Sequence, residues 1–116
     1  MPYDLIDKIH KQRKKKNELI RLETFSQLEK LLEKLSNEYG FSQAYIFGSL
    51  VKPGKFREDS DIDIAICGLE NKYFFRLISV ISREMLRDVD LCQMERATEG
   101  FRDKILKQGV LWKKKD

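Results

Sequence analysis

Hydrophobic positions along the first third of the chain recur at spacings of three and four: Leu5, Ile9, Leu19, Leu22, Phe25, Leu28, Leu31, Leu32 and Leu35. No proline or glycine falls between Tyr3 and Tyr39, so this stretch is predicted to be helical. The stripe is broken between Lys11 and Lys16. That gap leaves two options: one long helix with a solvated middle, or two helices meeting near Asn17. Gly40 supplies a helix stop, and the β-branched and aromatic run Ala44 to Phe47 reads as a short strand. Lys52 to Ser60 is polar and contains Pro53 and Gly54, which predicts a loop, with room for a short helical turn just after Ser49.

From Asp61 to Cys67 the period changes to two. Ile62, Ile64 and Ile66 occupy one face of the predicted strand, and Asp61, Asp63, Ala65 and Cys67 the other. Helical spacing returns over Tyr73 to Leu86, through Phe74, Leu77, Ile78, Ile81 and Met85. A third strand is expected over Val89 to Met94, followed by a helix from an N-cap at Thr98 to Gln108. Gly109 ends that helix before an apolar tail of Val110, Leu111 and Trp112. This order describes an α/β domain around a small three- or four-stranded sheet.

At 116 residues the chain is expected to form a single domain over 1–116, with an N-terminal helical extension over about 3–39 and no room for a second domain that grips a substrate. Hydrophobic residues at 41% and charged residues at 36% describe a folded chain with a heavily ionised surface. The net charge of +4 is unevenly placed. Six positive charges lie between Lys8 and Lys16 and three more at Lys113, Lys114 and Lys115, which leaves the rest of the chain at −5. The basic character is therefore terminal, and a whole-chain reading as a nucleic-acid binder is not favoured. No apolar run approaches a membrane span and no secretory signal is present, so a cytoplasmic protein is expected. Cys67 and Cys92 fit neither a zinc site nor a disulfide framework and read as small strand hydrophobes. The solitary His10 reads as a surface residue, and Trp112 either closes the core or docks on a partner.

The candidate chemistry lies in "FGSLVKPGKFREDSDIDI". Asp61 and Asp63 are two apart on a strand, so their carboxylates share a face and repel unless a cation lies between them. Mg²⁺ suits such a site, because it accepts one or two carboxylates together with water and substrate phosphates. The competing reading is an edge strand with a wet acidic face. Gly48 and Ser49 at the end of the preceding strand would let backbone N–H groups and a hydroxyl approach a phosphate. Asp90 on the next strand supplies a third carboxylate, with Asp88 as a rival of the same parity.

Taken together, "FGS", the polar loop, "DSDIDI" and "VDL" resemble the minimal nucleotidyltransferase (MNT) branch of the DNA polymerase β superfamily, and "DKILKQGVLW" resembles the end of that family's domain. The resemblance covers Phe41 to Trp112. It implies the α+β nucleotidyltransferase fold with a mixed sheet flanked by helices, phosphate contacts at Gly48 and Ser49, and catalysis and metal ligation by Asp61, Asp63 and Asp90. Two Mg²⁺ ions and ATP as co-substrate are implied with it. The expected reaction moves NMP, with AMP favoured, to a hydroxyl of a partner protein. MNT proteins are often paired with HEPN ribonuclease toxins, so the resemblance points to a HEPN toxin partner, within a homo- or hetero-oligomer. Two alternatives remain open: a non-catalytic antitoxin that masks the toxin by contact, and a nucleic-acid-associated nucleotidyltransferase. The chain departs from the family at two points. Eleven residues rather than ten separate Ser49 from Asp61, and Leu50 stands where arginine is frequent.

Overall fold

A computed structural model describes residues 2–115. The N-terminal periodicity produces one helix, α1 (Pro2–Tyr39), with no break near Asn17. Its 38 residues would extend about 57 Å at 1.5 Å per residue, comparable to the 58 Å long axis of the molecule. Only its second half carries the core. Leu28, Leu32, Leu35 and Tyr39 are buried, whereas Leu5, Ile9, Leu19 and Leu22 are exposed. The predicted stripe is therefore corrected over its first half: the spacing there is helical, but the sheet does not reach far enough to cover it. His10 and the basic cluster from Lys8 to Lys16 are exposed on the same overhang. Among the described residues no helix is long and apolar enough to cross a membrane.

The strands are β1 (Gln43–Phe47), β2 (Ile62–Cys67), β3 (Val89–Gln93) and β4 (Val110–Lys113), in the order β3-β2-β1-β4. β1 pairs antiparallel with β2 and β4, while β3 joins β2 in parallel after the crossover helix α2 (Phe74–Met85). A parallel pair needs such a crossover, because a tight hairpin can only return the chain antiparallel. This is the mixed nucleotidyltransferase-type α+β architecture expected from the motif.

The isoleucines of β2 pack with Ala44, Ile46, Leu77 and Ile81 into the main core beneath α1 and α2. On the other face α3 (Glu99–Gln108) brings Ile105 against Ala65 and Met94. Thr98 caps α3 as expected, its side chain accepting from the Phe101 N–H. The apolar tail becomes β4, an edge strand whose Trp112 is buried and lies 5.9 Å from Phe41, ring centre to ring centre. Trp112 therefore closes the core.

Candidate active site

Strand register places the acidic residues. Phe47 pairs with Asp63 across β1 and β2, and Asp63 pairs with Asp90 across β2 and β3. Register partners on adjacent strands project to the same face, so these three side chains form a row on the α3 side of the sheet. β2 is an interior strand and Asp63 is half-buried, which disposes of the edge-strand reading for that residue. Asp90 lies on the edge strand β3 and is exposed.

Gly48 follows Phe47 directly and begins a short 3₁₀ turn, Gly48–Val51, which takes in Gly48 and Ser49 rather than starting after them as the sequence suggests. Its φ of +74° is a conformation that side-chain-bearing residues rarely adopt. A Cβ at Gly48 would overlap Asp63 Oδ2 and approach its Cγ to 3.0 Å. Glycine thus serves twice here, by allowing the turn and by leaving the space that the Asp63 carboxylate fills. Ser49 is half-buried within the turn, and its carbonyl accepts from the Lys52 N–H at 3.0 Å.

A cavity of about 250 Å³ opens beside this row, lined by Gly48, Lys52, Asp63, Asp90, Phe101 and Lys104 among others. Its polar groups have both signs: two carboxylates on the sheet and two ammonium groups from the loop and α3. Phe101 meets Phe47 edge-on, with ring centroids 5.9 Å apart, and so helps pin α3 over the sheet. The sequence gives no reason to single out Lys52, Phe101 or Lys104. Lys104 lies within the motif-like tail, but only the docking of α3 brings it to the cavity that Asp90 also lines.

Asp61 is placed differently from its expected partners. β2 begins at Ile62, so Asp61 stands just before the strand, exposed, in a separate hollow with Asp59, Ser60, Arg87 and Asp88. The rival Asp88 is therefore beside Asp61, and Asp90 beside Asp63. Burial holds the Asp63 carboxyl above its ordinary range, with the charges of Asp90 and then Asp61 adding to the rise and Lys52 opposing it. All three acids therefore share one field. Even so, among the described residues no group of three or more His, Cys, Asp or Glu side chains is arranged to hold a metal ion unaided. The donor set that fits a hard divalent cation is the in-register pair Asp63 and Asp90, crowded against a side-chain-free turn, with the remaining positions left to substrate oxygens and water. Asp61 belongs to the same electrostatic cluster one residue outside the strand.

Cys67 and Cys92 are half-buried free thiols. Burial raises both, with Glu95 adding to Cys67, and Asp90, Asp63 and Cys67 adding to Cys92. Such groups remain protonated at neutral pH and are poor nucleophiles, in keeping with their reading as strand hydrophobes. Leu50 is fully buried in the main core. Its side chain therefore cannot replace a cationic group at the site.

The fold, the glycine turn and the in-register aspartates define a nucleotidyltransferase domain. The chain belongs to the polymerase beta nucleotidyltransferase family, whose model matches residues 29–116. A crystal structure of a toxin–antitoxin with AMP-PNP contains a chain 26% identical to this one, with a TM-score of 0.66 and coverage of 76% of this chain and 74% of that one. A minimal nucleotidyltransferase is 24% identical, with a TM-score of 0.65, over 77% of this chain and 93% of its own. A tri-AMPylated HEPN toxin in complex with its MNT antitoxin, from Shewanella oneidensis, gives 22% identity and a TM-score of 0.52, over 75% of this chain and 73% of that chain. No curated protein sequence matches the chain.

Proposed function

We propose that this protein transfers a nucleoside monophosphate, AMP in the favoured case, from an NTP to a hydroxyl on a HEPN ribonuclease toxin and so acts as its antitoxin. The carrying observation is the row Phe47, Asp63 and Asp90, set in register against a turn that tolerates no side chain. The 26% identity to a chain in a toxin–antitoxin structure with AMP-PNP supports both the nucleotide and the type of partner.

In this reading the N–H groups of the Gly48–Ser49 turn and the ammonium groups of Lys52 and Lys104 hold the triphosphate, opposite the carboxylates. Asp63 and Asp90, with Asp61 outside them, would hold Mg²⁺, which when bound neutralises the phosphate oxygens and stabilises the departing pyrophosphate. The acceptor oxygen attacks the α-phosphorus, the bond to the bridging oxygen of pyrophosphate breaks, and pyrophosphate leaves. The hydroxyl proton passes to a carboxylate, for which Asp90 is placed best because it is exposed on the edge strand. In this reading the partner presents the acceptor hydroxyl to the site.

The test uses ATP labelled at the α-phosphorus with Mg²⁺ and the purified toxin. Label should appear on the toxin, with its ribonuclease activity lost in parallel. Replacing Asp61 and Asp63 together by Asn should abolish labelling while the protein stays folded. Protection that persists in that double variant would instead establish masking by contact.

A further inference from the structure

Asp61 lies between two residues that are both tied to the start of β3. On one side the Ile62 N–H donates to the Asp88 carbonyl at 2.9 Å. On the other, Arg87 Nη1 donates to the Ser60 carbonyl at 2.9 Å. The same nitrogen reaches the carbonyls of Glu58 at 2.8 Å and Arg57 at 3.1 Å, so its two hydrogens are shared among three acceptors. The guanidinium also lies over the buried ring of Phe56, 4.4 Å from its centre. One side chain therefore gathers the last turn of the loop between the glycine turn and β2. Arg87 is itself fixed from behind: its carbonyl accepts from Ser82 Oγ at 2.8 Å, and its N–H donates to the Ser82 carbonyl at 3.3 Å. Leu86, in the left-handed conformation with φ of +54°, turns the chain from α2 into this position.

We propose that Arg87 is a positioning residue for nucleotidyl transfer: it clamps loop residues 57–60 and thereby sets Asp61 relative to the Asp63–Asp90 pair. The proposal rests on the transfer reaction proposed above. The physical case is that the loop supplies no strand pairing of its own. Residues 57–61 lie outside regular secondary structure; the loop closes one turn of its own, in which the Ser60 N–H donates to the Arg57 carbonyl at 3.1 Å and the Arg57 N–H to Ser60 Oγ at 2.8 Å, but without the clamp the Glu58 and Ser60 carbonyls would face water. A guanidinium suits the task because its planar fork serves several acceptors at once and stacks on an aromatic face, whereas a lysine ammonium is a flexible point charge. Because Arg87 and Asp90 are three residues apart on one segment, the clamp also ties the loop to the strand that carries Asp90.

The test is Arg87→Lys, read by amide hydrogen exchange and by steady-state transfer of labelled AMP to the toxin. Exchange over residues 57–62 should accelerate at least tenfold while β1 and α1 remain unchanged. In the same variant kcat should fall at least tenfold, with KM for ATP within about threefold of wild type, because Arg87 does not line the cavity proposed to hold the nucleotide. Unchanged loop exchange would overturn the proposal, as would a loosened loop with kcat intact. Acceleration spread over the whole sheet would also overturn it, by assigning Arg87 to general stability. If Arg87→Lys does not fold, Arg87→Gln is read in the same way, and failure of both to fold counts against the proposal. A wild-type protein that transfers nothing would remove the proposed function, and loop exchange alone would then decide whether the clamp exists.

Discussion

Replacing Gly48 by alanine probes the tightest point of the site. Two separable penalties apply. The first is backbone strain: at φ of +74°, an L-residue costs about 1–2 kcal/mol relative to glycine. The second is steric, since the new methyl group occupies the position of Asp63 Oδ2 and forces the carboxyl from its rotamer, for about another 0.5–1.5 kcal/mol. Gly54 supplies the control. Its φ is +81°, yet a Cβ there meets nothing within 4 Å, so Gly54→Ala carries the strain alone. At about 4 °C per kcal/mol for a domain of this size, Gly48→Ala should lower Tm by about 6–14 °C and Gly54→Ala by about 4–8 °C. The difference should shrink when Asp63 is also replaced by alanine, which leaves only a Cβ 3.3 Å from the new methyl group, but persist with Asp63→Asn, which removes the charge and keeps the shape. Thermal unfolding of these variants is the assay, with nucleotide transfer alongside; Gly48→Ala should lose transfer and Gly54→Ala should keep it. Equal losses of stability at the two glycines would refute the packing of Asp63 against the turn.

Asp63 also predicts a pH dependence. Its folded carboxyl holds a proton more tightly than the unfolded chain's, so between the ordinary 3.8 and its raised value the folded state binds more protons. Stability should therefore fall as pH rises through that window, and urea unfolding of Asp63→Asn should show a gain over wild type that grows with pH; a pH-independent difference would contradict the assignment. Trp112→Ala should cost about 3–5 kcal/mol by denaturant unfolding, whereas Leu111→Ser, at an exposed position of the same strand, should change little. Along α1, Leu32→Ala should lose about 2–5 kcal/mol, while Leu19→Gln stays within about 0.5 kcal/mol; a large loss at Leu19 would mean that the first half of the helix packs against something in the isolated protein.

Much of this architecture is legible in local pattern. The period of two over Ile62, Ile64 and Ile66 specifies which face of β2 is buried, and with it the face on which Asp63 emerges. Gly40, Thr98 and Gly109 fix helix boundaries because their backbone or capping chemistry is local, and each stands at the end expected of it. The family motif is equally local, since turn, loop and strand follow one another directly. Periodicity misled over Leu5 to Leu22, because spacing reports that a face exists and not whether anything covers it.

Only tertiary structure decided how separate segments meet. Parallel pairing of β2 with β3 chose Asp90 over Asp88 as the neighbour of Asp63 and left Asp88 beside Asp61; both aspartates have the same parity, so alternation could not separate them. Docking of α3 brought Lys104 and Phe101 to the cavity, and the Arg87 fork reached back about thirty residues in sequence to hold the loop before Asp61. Local sequence sets dihedral preference and face, whereas register and long-range side-chain reach depend on how the whole core closes. That is why the acids could be read in advance and the groups that oppose and position them could not.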